Sequence, residues 1–277
     1  MRGHGNSARG DVRSQTDRVI LTLREMLLRG DFRPGERLTE LTLVPLLRAS
    51  RTPVRLALEH LAHEGLLDEQ PTTGFRVRSF ALTDIWDALA IRGVLEGTAA
   101  RLAAERLTDP EELAALHLYC QQAIHLLPMT RARFSRYIEI NEAFHAELWR
   151  LAKSDMLLRT IEKLIALPFA GPSALVFSWP DDKEGASEAV IALEHHRAIV
   201  EAIERREGAR AEGLAREHAR LAIRALERAL QNQEWFSRMP GGKLIKWPAT
   251  VIPTGSEPPP RDAADAKPRR RNRPSPR

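Results

Sequence analysis

Apolar residues recur at helical spacing in three short blocks near the front of the chain, over residues 16–30, 38–47 and 52–65. Thr52 before Pro53 is typical of a helix start, and Gly65 is typical of a helix end. Apolar residues then fall in two short segments around a turn, residues 66–70 and 75–78. Three small helices followed by a hairpin predict a winged helix-turn-helix.

The helical spacing then continues from about residue 82 to residue 236. Within this region, the run Asp109-Pro110-Glu111-Glu112 is a strong helix-start signal. The pattern predicts an antiparallel bundle of about six helices. The predicted fold class is therefore mainly α, a winged helix-turn-helix followed by an all-α bundle. The predicted boundaries are a disordered start, the winged domain, the bundle and a disordered basic tail, at residues 1–13, 14–79, 80–236 and 237–277.

Charge changes this picture because it is unevenly distributed along the 277 residues. Residues 1–80 carry 13 Lys and Arg against 10 Asp and Glu, whereas residues 81–235 carry 19 against 24. Residues 236–277 carry 10 against 3. A mildly basic front, an acidic middle and a basic end indicate different partners for different regions.

Composition also bears on the compartment. Cys120 is the single cysteine, which excludes an internal disulfide and fits a reducing cytosol. No basic-then-apolar leader opens the sequence, and the longest uncharged run, 164–180, is interrupted by prolines and falls short of a membrane span. We therefore expect a soluble, cytoplasmic protein with no membrane partner.

Polar side chains lead the third predicted helix. Arg51 and Arg55 lie one turn apart, with Ser50 and Thr52 beside them, whereas the following apolar residues form the inward stripe. Hydroxyl and backbone N–H groups bind phosphate, and arginine reaches guanine in the major groove. A solvated helix face is the alternative, but the adjoining helix and hairpin favour double-stranded DNA.

This stretch, PGERLTELTLVPLLRASRTPVRLALEHLAHEGLLDEQPTTGFRV at 34–77, resembles the winged helix-turn-helix of the GntR family of bacterial transcription regulators. Two positions depart from the family pattern, Arg48 in place of a turn glycine and Pro45 inside the second helix. The resemblance implies DNA contacts from Arg37, Ser50, Arg51, Thr52, Arg55 and Gly74.

The bundle resembles the effector domain of the FadR-type branch of that family, through NEAFH at 141–145, EHHRAI at 194–199 and REH at 216–218. Three imidazoles and an oxygen suit Zn²⁺ or a similar divalent ion. The family usually has Asp where this chain has Asn141, and a neutral amide predicts weaker metal binding or a metal-free polar pocket. The resemblance implies the ligands Asn141, His145, His196 and His218.

Arg92 and Glu96 lie one turn apart on the first bundle helix. They form either a helix-stabilising ion pair or, as the resemblance implies, part of an effector site in which Arg92 binds an acidic ligand.

The resulting prediction is a ligand-responsive repressor, not an enzyme. A homodimer would bind a palindromic operator, and a small organic acid would change the arrangement of its DNA-binding heads. DNA binding would associate the protein with the nucleoid. Two alternatives stay open: a metal-dependent enzyme that uses the bundle histidines, and a constitutive DNA-binding protein whose bundle only dimerises.

Overall fold

The computed structural model describes residues 14–70, 74–174, 183–231 and 239–246. The predictions for the first 13 residues, for the turn 71–73 and for the tail beyond residue 246 lie outside these ranges.

The front of the chain folds as the predicted winged helix-turn-helix. Its elements are α1 (Gln15–Arg29), β1 (Arg37–Leu38), α2 (Glu40–Leu47), α3 (Arg51–His63), β2 (Leu67–Gln70) and β3 (Gly74–Val77). The sheet is antiparallel in the order β1-β3-β2. Leu23, Leu27 and Leu58 lie fully buried between α1 and α3.

The start of α3 differs from the prediction by two residues. The N-cap is Ser50 rather than Thr52, and the helix begins at Arg51. Pro53 is still tolerated because N–H groups in the first turn have no helical acceptor. Pro45 lies inside α2, and Arg48 takes the left-handed conformation (φ 49°) that the family gives to glycine.

Six helices follow in the described part of the chain: α4 (Leu82–Arg106), α5 (Ala114–Ile124), α6 (Arg131–Leu151), α7 (Asp155–Ile165), α8 (Lys183–Glu204) and α9 (Gly208–Leu230). Helix α4 packs mainly against α9, which also packs against α8. A Cβ atom added at Gly97 would lie 2.7 Å from the Arg216 side chain, so the glycine permits the close approach of α4 and α9. The bundle confirms the predicted fold class.

Residues 239–246, which we call the C-terminal strap, correct the prediction of a disordered tail from residue 237. Leu244 is fully buried and Met239 nearly so. Phe80, just before α4, donates its N–H to the Leu244 carbonyl (2.9 Å) and accepts from the Lys246 N–H (2.8 Å). Gly241 donates to the carbonyl of Leu28 at the end of α1 (2.9 Å). The strap therefore contacts both the winged domain and the connection to the bundle.

The loop after α7, which we call the junction loop (residues 166–174), completes this contact region. Phe169 and Ala170 are buried in the same apolar core as Leu27 and Leu244. The Phe169 ring meets the Phe80 ring edge-on, with centroids 5.0 Å apart. One continuous core therefore joins the winged domain to the bundle.

Candidate functional site

The predicted DNA-contacting side chains lie on the outside of the winged domain. Ser50, Arg51, Thr52 and Arg55 are all exposed, and they occupy the N-cap and first turns of α3. The Arg55 side chain is 65% exposed and pairs with Glu59 at 3.1 Å. A pair this exposed contributes little to stability, so the guanidinium can exchange its partner for a base or phosphate.

The N-terminus of α3 adds backbone donors to this surface. The Ser50 side chain makes no capping hydrogen bond, so its hydroxyl leaves the first-turn N–H groups available to another acceptor. Those N–H groups lie at the positive end of the helix dipole, where phosphate oxygens bind favourably. Side chains and backbone on this surface therefore suit the same polyanion.

The three-stranded sheet carries the two remaining predicted residues and one cation, Arg76, that the sequence analysis did not single out. Arg37 on β1 is the direct partner of Arg76 on β3, and both are exposed. Like charges opposite each other destabilise a sheet, although Asp68 faces Arg76 from β2. A nearby phosphate would relieve the repulsion. Gly74 (φ 90°) passes so close to β1 that a Cβ atom would lie 2.9 Å from the Leu38 carbonyl oxygen. The sequence feature that could have indicated Arg76 is its position between two apolar residues, Phe75 and Val77, in a strand that alternates buried and exposed side chains.

The second site lies inside the bundle, where three histidines from three helices converge. The Nε2 atom of His218 on α9 lies 3.1 Å from Nε2 of His196 on α8 and 3.3 Å from Nε2 of His145 on α6. His145 and His196 are buried; His218 is half-buried as a whole residue, but its ring belongs to the same buried cluster. The Phe144 ring stacks on the His196 ring with centroids 3.9 Å apart, which restricts the orientation of that imidazole.

This arrangement fits a divalent metal ion. Tetrahedral Zn²⁺ with Zn–N bonds of about 2.0–2.1 Å separates its ligand nitrogens by roughly 3.3 Å. The two observed Nε2 separations match that value. Burial, together with the neighbouring imidazoles, lowers the pKa of both His196 and His218 well below the ordinary range. Both rings are therefore neutral at physiological pH, which is the form that binds metal.

Asn141 lies one turn before His145 on α6 and is also buried. Its amide nitrogen donates to the hydroxyl of Ser173 in the junction loop (3.1 Å). The predicted fourth ligand therefore connects the histidine site to that loop, a contact that the sequence did not indicate.

Glu96 on α4 lies directly behind His145. Its Oε1 atom is 3.1 Å from Nδ1 of His145, with both side chains nearly inaccessible to solvent. Burial opposes ionisation of this carboxyl, but the charged groups around it, His145 first among them, lower the pKa of Glu96 to about 2. The group is therefore a buried carboxylate rather than a carboxylic acid.

Arg92 is buried beside Glu96, with its Nε 3.9 Å from Oε1 of that residue. Its Nη1 donates to two junction-loop carbonyls, those of Ala170 (3.0 Å) and Gly171 (2.6 Å). Arg92 and Glu96 thus lie in one buried cluster with His145, as the predicted effector site requires. The guanidinium already has partners within the protein, the two carbonyls and Glu96. This favours a structural role for Arg92, as in the alternative in which it forms an ion pair with Glu96.

No helix in the described ranges combines the length and the apolar character needed to cross a bilayer.

Both sites lie in regions that match known protein families. Residues 15–77 match the gntR family of bacterial regulatory proteins, and residues 87–221 match the FCD domain family. The matched ranges contain all the candidate residues, whereas the C-terminal strap lies outside both.

Individual proteins show the same likeness. The chain is 34% identical over 133 residues to the Nta operon transcriptional regulator of Aminobacter aminovorans, covering 48% of this chain and 61% of that protein. It is 30% identical to a probable D-xylose utilization operon transcriptional repressor of Paenarthrobacter nicotinovorans, covering 61% and 70%. The solved structure of E. coli McbR/YncC is similar, with 25% identity, a TM-score of 0.56, and coverage of 78% of this chain and 98% of that one.

Proposed function

Because the chain belongs to the GntR family of bacterial regulatory proteins, we propose that it represses transcription by binding an operator and releases it when a small carboxylate binds the bundle. The observation that carries this proposal is the coexistence of an exposed cationic α3 with a buried histidine site in one continuous fold. Acting on chromosomal DNA, the protein would work in the cytoplasm, at the nucleoid.

The winged domain would read the operator. The α3 start enters the major groove, where Arg51 and Arg55 contact base edges and Ser50 and Thr52 contact phosphates. Arg37 contacts the DNA backbone from β1, and Gly74 permits the close approach of the hairpin. One such head reads only a half-site, so a homodimer on a palindromic sequence supplies the affinity that a repressor needs.

The bundle would sense the ligand. His145, His196 and His218, with Asn141 one turn away, would hold a divalent ion such as Zn²⁺. Bound there, the ion would supply positive charge that attracts a carboxylate. Arg92 supplies the second positive charge of the cluster, which suits an organic acid rather than a neutral sugar.

A structural route for the response leads from this site to the heads. Asn141 contacts Ser173, and Arg92 contacts the carbonyls of Ala170 and Gly171, so two residues of the site are bonded to the junction loop. The same loop carries Phe169 onto Phe80, between the domains. A ligand that binds better to one arrangement of this loop shifts the heads towards the matching arrangement.

The proposal is tested by operator selection followed by ligand release. Duplexes that the full-length chain retains from a random pool should share an inverted repeat, and the complex should contain two chains per duplex. A thermal-shift screen of organic acids, with and without a chelator, should then find compounds that stabilise the protein and dissociate it from the selected duplex.

Each competing function has its own outcome in these experiments. A constitutive DNA-binding protein would retain the duplex with every acid in the screen. A metal-dependent enzyme would turn over a substrate in the Zn²⁺-loaded form without retaining any sequence, but the relatives are transcription regulators and do not favour it.

A further inference from the structure

The histidine site poses an electrostatic problem for the divalent ion that the proposed function places there. Histidine binds a metal ion as a neutral imidazole, and the nearby Asn141 is a neutral amide. A doubly charged ion held by neutral groups in a buried site retains its full charge, which costs free energy when water is removed. An anion in contact with a ligand would offset that cost.

Glu96 is in the position to supply this anion. Its Oε1 atom lies 3.1 Å from His145 Nδ1, whereas the opposite ring nitrogen, Nε2, lies 3.3 Å from Nε2 of His218. The imidazole therefore points one nitrogen at the carboxylate and the other at the site. In many metal sites, a carboxylate placed in this way accepts from the ring nitrogen that does not bind the metal. It thereby fixes the tautomer and the orientation of the histidine.

The contact between Glu96 and His145 is short but does not have the geometry of a hydrogen bond. Neither Glu96 Oε1 nor His145 Nδ1 has a hydrogen bond of good direction within the described residues, although both are fully buried. Unsatisfied buried polar atoms are costly, and these two lie within reach of each other. The Arg92 Nε lies farther from the same oxygen, at 3.9 Å.

We propose that Glu96 is a positioning residue of the metal site: it accepts from His145 Nδ1–H, directs Nε2 to the ion, and supplies the negative charge that an Asn141 side chain does not. The residue thereby acts on the ion through His145 and makes no contact with the effector. This inference rests on the metal site of the proposed function and reassigns Glu96 within it.

Zn²⁺ titration of the chelator-stripped, full-length chain tests the role. Glu96→Gln keeps the shape and removes the charge, and it should lower Zn²⁺ affinity by about 10- to 100-fold. Adding Asn141→Asp to that variant returns a negative charge to the site and should recover most of the loss. Glu188→Gln is the matched control, because Glu188 is a buried carboxylate paired with Arg228 rather than with a histidine, and its Zn²⁺ affinity should match wild type.

The outcomes separate this inference from the metal site itself. A wild-type chain that takes up no Zn²⁺ overturns the site and the inference together. Wild-type uptake with undiminished affinity in Glu96→Gln, or loss without recovery by Asn141→Asp, overturns the role of Glu96 alone. Should the variants not fold, ¹⁵N spectra of the metal-free wild type decide: His145 protonated on Nδ1 supports the inference, and His145 protonated on Nε2 overturns it.

Discussion

Replacing Arg92 by Met removes a buried guanidinium and keeps most of its apolar stem. The side chain is 4% exposed, and its Nη1 donates to the carbonyls of Ala170 and Gly171. Hydrogen bonds to a charged group contribute about 1.5–3 kcal/mol each, so two of them contribute roughly 3–6 kcal/mol. Burial also lowers the pKa of Arg92, which reflects the cost of holding this charge away from water.

Removing one member of a buried charged cluster typically costs about 3–5 kcal/mol, and we expect a loss in that range for Arg92→Met. A loss of this size is a large share of the stability of an ordinary domain, about 5–15 kcal/mol. The measurement is the free energy of unfolding from urea titration followed by circular dichroism. A chelator in the buffer keeps metal binding out of the comparison.

Arg205→Met is the matched control for this substitution. Arg205 pairs with Glu201 at 2.8 Å on the surface of α8, where its side chain is 61% exposed. Its loss should stay within about 0.5 kcal/mol. If Arg92→Met were as mild as this control, the guanidinium would not be holding the junction loop, and its role would be confined to ligand binding.

Three further predictions concern DNA binding, pH and the strap. Arg55→Ala should weaken binding to the selected duplex by about 1–3 kcal/mol, read by fluorescence anisotropy, and unchanged selectivity would remove Arg55 from the base contacts. In the presence of a chelator, His196 and His218 should stay neutral in the folded chain at a pH where they are protonated in the unfolded chain, because burial lowers their pKa. The free energy of unfolding should therefore decrease as the pH is lowered below about 6.5, by up to about 1.4 kcal/mol per pH unit for each histidine. A urea-melt series at pH 5–7 checks this, and a flat profile would contradict the buried, neutral rings. Gly241→Ala should destabilise the protein more than Gly35→Ala in the same assay. Both glycines have φ near 80°, but only a Cβ atom at Gly241 would lie as close as 2.6 Å to the Pro168 side chain. Equal losses would contradict the packing of the strap.

Local patterns were sufficient to predict the winged domain and its exposed cations. The inward stripe of α3 leaves Arg51 and Arg55 on the opposite face of the same helix, so their exposure follows from helical spacing alone. The two-residue shift of the N-cap from Thr52 to Ser50 does not change that face. Helix ends are set by cap geometry, in which Ser50 and Thr52 are close competitors.

The bundle site could be predicted only in part, because its parts are distant in sequence. Spacing placed Asn141 and His145 on one face, but their meeting with His196 and His218 came from family resemblance. No periodic signal indicated that Glu96 would face His145 rather than solvent or a ligand. Arg92 donates to backbone carbonyl oxygens of a loop. Because every residue has a carbonyl oxygen, the sequence does not indicate which ones Arg92 contacts.

The strap was mispredicted for a related reason. Its Pro-Gly-Gly run at 240–242 is typical of an irregular segment, and its apolar side chains beside that run are only Met239, Leu244 and Ile245. Its order depends on the Phe80 and Leu28 backbone groups, which lie more than 150 residues earlier. Such long-range backbone pairing follows no short sequence pattern.

The position of the strap has a consequence for synthesis. A ribosome completes residues 239–246 long after the winged domain and the whole bundle, yet these residues bond to Phe80 at the boundary of the two. A nascent chain therefore reaches its finished inter-domain geometry only after residue 246 has been made. A chain that stops before residue 239 would keep the winged domain and the bundle but lack the segment that bonds to the residues between them.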